Sequence, residues 1–288
     1  MTDVMVVKNL CKDYRRFSLK NVSFSIPEGC VAGFIGLNGQ GKTTTIRTML
    51  GLSPKKSGEV MLFGQDFDAN SQQLKENIGV VFDEGYLYET LKMKEMKGIV
   101  ARAYHQWDEA QYQSFMKRFG LDENQVIATL SKGMRMKFAL ALALSHHAEL
   151  LIMDEPTSGL DPLIRKELLD ILKDYMATDG KGVLYSSHIT SDLDKFADLL
   201  IFIDQGQIVL VEEKDFLLET HRRVKGNIND LTADNRAFFI QLEENSYGFT
   251  GITKDIDLLK KELPKAIFER VNIEDLMIAY IGGGKAHA

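Results

Sequence analysis

Gly36-Leu37-Asn38-Gly39-Gln40-Gly41-Lys42-Thr43 follows directly on the apolar run Val31-Ala32-Gly33-Phe34-Ile35, and the residues after it, Thr43 to Leu50, read as a helix ending near Gly51. Glycine, four residues, glycine, lysine and threonine is the spacing of a phosphate-binding loop. Glycines let successive backbone N–H groups curl around phosphate oxygens without side-chain clashes. The helix that begins here turns its positive end toward the same oxygens, an effect worth roughly 0.3–1 kcal/mol and up to about 2 in a partly buried site. Lys42 has the reach for the terminal phosphates, and the Thr43 hydroxyl is suited to Mg²⁺. Gly36, Asn38, Gly39, Gly41, Lys42, Thr43 and Thr44 are the candidate binding residues of this loop.

A second chemical signal lies downstream, in Leu150-Leu151-Ile152-Met153-Asp154-Glu155. An apolar strand that ends in two acids sets carboxylates at the carboxyl edge of a parallel sheet, where nucleotides bind in such folds. Asp154 is placed to hold Mg²⁺ through water. Glu155 is placed to orient and deprotonate an attacking water, a role worth about 10²–10⁴ in rate.

The remaining chain is ordinary in composition. Its 288 residues predict about two domains. With 44% hydrophobic and 26% charged residues it is neither disordered nor fibrous. A net charge of −6 disfavours a general nucleic-acid binder. Met1-Thr2-Asp3 lacks the start of a signal peptide. The longest apolar stretches, Phe138 to Leu144 and Leu199 to Ile203, fall short of the roughly 20 residues that span a bilayer. Cys11 and Cys30 have no metal-ligand spacing, so a reduced cytosolic setting is expected.

Residues Val4 to Ile35 read as strands and turns, and positions 58 to 65 as a short hairpin. From about Leu87 to Ser145 the signal is helical, with apolar positions at Met93, Met96, Ile99, Val100 and Ala103 and later at Phe138, Leu142 and Ser145. The basic surplus there (Lys92, Lys94, Lys97, Lys117, Arg118) reads as a solvated helical face. Strands return at Leu150 to Met153, Gly182 to Ser186 and Leu199 to Ile203 with helices between, which implies a mostly parallel α/β sheet. Beyond Asp215, Arg236 to Leu242 reads as a strand, and Ile256 to Leu263 and Glu274 to Ile281 as short helices.

With the glycine loop and the acidic strand placed, residues 4 to 215 resemble the ATP-binding cassette (ABC) ATPase family. Leu130-Ser131-Lys132-Gly133-Met134 stands where that family has its signature, usually Leu-Ser-Gly-Gly-Gln. Ser131 and Gly133 match; Lys132 and Met134 depart, in a form similar to that of bacterial exporter subunits. Ser131 is also a good helix N-cap, and Gly133 leaves the backbone exposed. Ser158-Gly159-Leu160-Asp161 resembles the family's subunit-interface loop, Ser187-His188 its switch histidine, and Tyr14 its adenine-stacking aromatic, with Phe17 a nearby competitor. After the strand Ile78 to Phe82 the family usually has glutamine; this chain has Asp83, then Glu84. Two readings of Asp83 stand at this point: a Mg²⁺ ligand acting through water, or a cap for a helix starting near Tyr86.

The resemblance implies a fold and a function. The fold is α/β: a phosphate-loop NTPase core with a mostly parallel sheet, an N-terminal antiparallel β subdomain, a helical subdomain at about 87–145, and a small α+β extension. Residues 1–215 would form the ATPase domain and 216–288 an accessory domain. The function is an ATP-hydrolysing transporter subunit that powers a separate membrane-spanning permease, for export, from the inner face of a bacterial membrane. Lys42, Glu155 and His188 would be catalytic, and Thr43, Asp83 and Asp154 would serve Mg²⁺. ATP would sit between two such subunits (a homodimer, or a heterodimer with a similar one), with Ser131 and Gly133 reaching it from the second. The alternative is a soluble relative acting on ribosomes, DNA or cofactor-assembly proteins. Ribosome-acting members generally carry two cassettes, and this chain has one.

Overall fold

The computed structural model describes residues 2–83 and 86–282. In chain order the first elements are β1 (Asp3–Asp13), β2 (Ser18–Pro27), β3 (Val31–Ile35), α1 (Lys42–Met49), β4 (Ser57–Leu62), β5 (Gln65–Asp66), α2 (Phe67–Lys75) and β6 (Ile78–Val81). A helical stretch follows, with α3 (Met93–Ala101), α4 (Glu109–Phe119), a 3-10 turn (Ile127–Thr129) and α5 (Lys132–Leu144). Strands and helices then alternate through β7 (Leu150–Asp154), α6 (Pro162–Met176), β8 (Gly182–Ser187), α7 (Thr190–Phe196), β9 (Leu199–Asp204), β10 (Gln207–Glu213) and α8 (Lys214–Thr220). The last elements are β11 (Arg222–Gly226), α9 (Ala233–Arg236), β12 (Gln241–Asn245), β13 (Gly248–Thr253), α10 (Ile256–Glu262), β14 (Ile267–Arg270), α11 (Ile273–Met277) and a π-helical turn (Ile278–Gly282).

The central sheet runs β10-β9-β3-β8-β7-β6, and all of its strands are parallel except β10, which pairs antiparallel with β9 at one edge. Every residue of β3, β7 and β8 is buried. That is why these strands read as unbroken apolar runs: a parallel sheet is covered on both faces. β1 and β2 lie in a second sheet, β2-β1-β4-β5, whose pairs are antiparallel. The expected α/β class, with an N-terminal antiparallel β layer and a helical segment, is the architecture observed. Both cysteines are free, and burial pushes the Cys30 thiol up to about 12.

A third, antiparallel sheet (β12-β13-β11-β14) has its own small core of Val224, Phe239, Phe249, Leu259 and Leu263. The chain does not end there. Ile273, Leu276, Ala279 and Ile281 pack back into the main core with Leu200 and Phe202 of β9, and His221 Nε2 lies 2.8 Å from the Tyr280 hydroxyl.

Several local expectations shift. The strand expected at Arg236 to Leu242 is the end of α9 followed by β12, which starts at Gln241. Phe239 packs across Gly251 of β13, so the apolar signal there marks a covering side chain rather than a strand. Ile99 and Ala103, expected on a buried helix face, are exposed, and α3 ends at Ala101. No helix starts near Tyr86: residues 86–90 are turns and α3 begins at Met93, so Asp83 caps no helix there. Glu84 lies outside the described residues.

Candidate nucleotide site

The glycine loop is shaped by what it must pass. A Cβ added at Gly36 would lie 2.7 Å from the Ile203 carbonyl oxygen, so β9 leaves no room for a side chain. Gly41 has φ +113°, a conformation that L-residues avoid, and a Cβ there would meet Phe17 Cζ at 2.7 Å. Gln40 ties the loop to the β9–β10 turn: its Oε1 accepts from Gln205 N at 2.6 Å and its carbonyl from Gly206 N at 3.0 Å. Leu37, Asn38 and Gly39 form the exposed crest, while Thr43 is exposed and Thr44 half-buried at the start of α1. No side chain caps α1 and its first turn holds no acid, so its leading N–H groups face an anion without competition.

Lys42 is only 5% exposed. Its Nζ donates to the Gly36 carbonyl at 2.6 Å and the Leu37 carbonyl at 3.3 Å, and lies 2.9 Å from Glu155 Oε1. Glu155 Oε2 in turn lies 2.7 Å from His188 Nδ1. The parallel pairing of β7 with β8 sets Asp154 beside Ser186, which brings the acidic strand end and the histidine strand end to one edge. Glu155 has φ +51°. A non-glycine residue held there costs on the order of 1–3 kcal/mol and survives because its surroundings fix it.

Asp154 is buried and accepts from the Ser186 hydroxyl at 2.9 Å. Burial raises its carboxyl above the ordinary value, against the opposing pull of the Thr43 and Ser186 hydroxyls. Beneath this edge Tyr185 donates to Thr157 Oγ1 at 3.0 Å, and Thr157 donates to Asp192 at 2.7 Å, all three buried. The sequence reading assigned Ser186, Thr157 and Asp192 no role; Ser186 had a signal, as the polar end of an otherwise apolar strand, whereas Thr157 in the turn after β7 and Asp192 in α7 had none.

The donors suit Mg²⁺. Thr43 and Asp154 offer hard oxygens side by side, and Mg²⁺ retains waters and phosphate ligands rather than demanding a full protein cage. Among the described residues no group of three or more His, Cys, Asp or Glu is placed to hold a metal, so Asp83, Asp154 and Glu155 do not gather. Asp83 instead has Oδ1 2.6 Å from Lys132 Nζ.

Tyr14 is half exposed, with its hydroxyl 3.2 Å from Ser53 Oγ, while Phe17 packs under the loop against the core. Of the two aromatics, only Tyr14 therefore offers a free face. The Lys12 ammonium sits 4.8 Å from the Tyr14 ring centroid and donates to the Pro54 carbonyl at 2.6 Å, a cation–π support that the sequence did not disclose. Ser131 is exposed and caps α5, accepting from Met134 N at 3.2 Å; Gly133 is buried beside Ile164. Among the described residues no hydrogen bond or ion pair joins Ser131 or Gly133 to Lys42, Asp154, Glu155 or His188. These candidate residues thus form two separate groups within one chain.

The sequence profile of the ABC transporter family matches residues 19–158. The ABC transporter ATP-binding protein YhcH of Bacillus subtilis (strain 168) is 30% identical over 96% of this chain and 91% of its own length. The bacitracin transport ATP-binding protein of Enterococcus faecalis is 28% identical over 99% of this chain and 98% of its own. A solved ATP-binding subunit of an ABC transporter superposes with a TM-score of 0.68 at 28% identity, covering 75% of this chain and 92% of that one.

Proposed function

The chain belongs to the ABC transporter ATPase family and is an ATP-hydrolysing transporter subunit, and from that premise we propose that two copies, or one copy and a similar chain, close around ATP with the two groups of residues meeting across the interface. In each site Gly36, Asn38, Gly39, Gly41, Thr44 and the start of α1 bind the phosphates, and Tyr14 stacks on the base. The exposed Ser131 completes the site from the other copy at the N-terminus of α5, with Gly133, which the sequence reading took to leave its backbone exposed, buried in the turn behind it.

The observation that carries this reading is the chain of contacts Lys42–Glu155–His188, at 2.9 and 2.7 Å, on the carboxyl edge of the sheet. Lys42 exchanges Glu155 for the β- and γ-phosphates when ATP enters, which frees Glu155 Oε1 to accept the proton of the attacking water. Among the described residues that oxygen makes no aligned hydrogen bond, so it is available to a water once Lys42 has moved to the phosphates. His188 holds the other carboxylate oxygen and so orients the base. Mg²⁺, held by Thr43 and Asp154, would neutralise charge developing on the phosphates. Water attacks the γ-phosphorus, the bond to the β–γ bridging oxygen breaks, and ADP and phosphate leave. Asp83, engaged by Lys132, is not counted among the ligands.

Closure and reopening drive a separate membrane-spanning permease. Among the described residues no helix is long and apolar enough to cross a membrane. In this reading the chain works as a peripheral subunit on the inner face of the membrane, beside its permease. The Lys132/Met134 form of the signature segment and the bacitracin-transport relative support export as the direction. Residues 1–215 act as the ATPase domain and 216–288 as an accessory extension, in which the third sheet has a core of its own while Ile273 to Ile281 pack into the ATPase core. The test is purification of the tagged chain from detergent-solubilised membranes of its own cells. A multi-span protein recovered in stoichiometric amount is expected, and recovery from the soluble fraction alone would overturn the partner assignment.

A further inference from the structure

Two of the three positions at which this chain departs from its family's pattern, Asp83 and Lys132, touch each other. Lys132 is the first residue of α5, and its Nζ lies 2.6 Å from Asp83 Oδ1, both side chains about one-third exposed. The same lysine side chain runs over the Ser158–Asp161 loop: a Cβ built on Gly159 would lie 3.5 Å from both its Cδ and its Nζ. One residue thus spans three segments: the start of α5, the start of the loop after β6, and the loop before α6. A second bond runs alongside, from Arg135 to Glu89 at 3.0 Å, across a cleft of about 390 Å³ that Asp83 and Lys132 also line.

Electrostatics explains why both departures come together. The first turn of α5 carries no acid and includes Lys132, a cation at the positive end of a helix, which is unfavourable. Asp83 supplies the missing negative charge from another part of the chain. A lysine without that aspartate would be repelled by its own helix end, and the aspartate without the lysine would be a half-buried carboxylate with no counter-charge.

We infer that Lys132 is a positioning residue: with Asp83 it forms a strut that fixes the start of α5, and with it Ser131 and Gly133, against the nucleotide-binding core. The strut rests on the two-copy reading for its purpose, because Ser131 and Gly133 serve the ATP of the other copy. It acts on assembly of the shared site and leaves the binding of nucleotide to a single chain alone.

The test uses the full chain carrying Glu155→Gln, so that ATP-bound pairs accumulate. Lys132→Ala, Asp83→Asn and the charge-swapped double variant Asp83→Lys/Lys132→Asp are compared with that parent. Each single variant should raise the ATP concentration for half-maximal dimerisation about tenfold, within the range of coupling between contacting side chains, and the swap should return it to within about threefold of the parent. Affinity for a fluorescent ATP analogue, read at protein concentrations too dilute for pairing, should not move. Hydrogen exchange at the Met134 and Arg135 amides, which bond to Ser131 Oγ and Ser131 O, should speed up in both single variants and slow again in the swap. Single variants that match the parent overturn the strut, as does a swap no better than the worse single variant. An effect of Lys132→Ala that Asp83→Asn does not share overturns it too, since the lysine would then act directly on the partner's phosphate. If the parent itself forms no ATP-dependent pair, the two-copy reading falls, and the exchange rates alone decide whether the strut exists.

Discussion

Replacing Glu155 with glutamine keeps the shape of the side chain and deletes the charge that Lys42 and His188 share. Two effects follow in opposite directions. Turnover loses its base and should fall by about 10²–10⁴. Binding gains, because ATP no longer has to take Lys42 from a carboxylate 2.9 Å away in a site where the two side chains are 5% and 13% exposed. Loss of the counter-charge leaves the buried Lys42 ammonium short of a partner in the nucleotide-free state, a cost of about 1–3 kcal/mol, so nucleotide binding should tighten by about five- to hundredfold. Calorimetric titration with a non-hydrolysable ATP analogue and Mg²⁺ measures the second effect without interference from the first; phosphate release measures the first. The melting temperature serves as the control, since glutamine bears the same strain at φ +51° as glutamate. Affinity within twofold of wild type would refute the competition for Lys42, and unchanged turnover would remove Glu155 as the base.

Tyr14→Ala should raise the KM for ATP about five- to hundredfold with kcat retained, from the roughly 1–3 kcal/mol of base stacking; an unchanged KM would show that no aromatic is used, as Phe17 is packed beneath the loop. For Asp154, burial raises the folded-state pKa above the ordinary 3.8, so its contribution to stability is full below that value and is lost as pH climbs through the raised one. Asp154→Asn should therefore raise the melting temperature of the nucleotide-free protein at neutral pH while abolishing the further rise that Mg-ATP gives, both read in one thermal-shift series. His146 is buried against Tyr104 at a ring separation of 3.7 Å, and burial lowers its pKa below 6.5. Its contribution is full above 6.5 and fades as pH falls through the lowered value, so the wild type should melt earlier on mild acidification. His146→Phe should show a shallower slope, leaving what His221 adds by the same burial effect, and parallel melting curves for the two proteins would count against the assignment.

Legibility followed sequence distance. The loop Gly36 to Thr43 and the strand Leu150 to Glu155 were readable because their chemistry is written in adjacent residues, and their packing in unbroken apolar runs. Tyr14 could not be separated from Phe17 by pattern, since the difference is that one ring packs under Gly41 and the other does not. Asp83 was hard to read for a similar reason: the charge it faces, Lys132, belongs to another segment, and the aspartate alone suggested a metal ligand or a cap. The strand near Arg236 was misplaced because β12, Gln-Leu-Glu-Glu-Asn, is an edge strand whose charges blunt the exposed rim and hide the alternation.

The return of Ile273 to Ile281 into the main core makes residues 222 to 270 topologically an insertion. The point of departure and the point of return are neighbours, since Arg222 of β11 pairs with Arg270 of β14. Antiparallel partners sit about 5 Å apart, a gap that a two- or three-residue turn spans at little entropic cost. Excising the small sheet and joining the stumps should thus leave a soluble ATPase. Severing the chain after Asp215 should not, because it strips Ile273 and Leu276 from α7 and Ala279 from β9, and opens the core around Leu200 and Phe202 to water. The shorter deletion is the one that spares the protein.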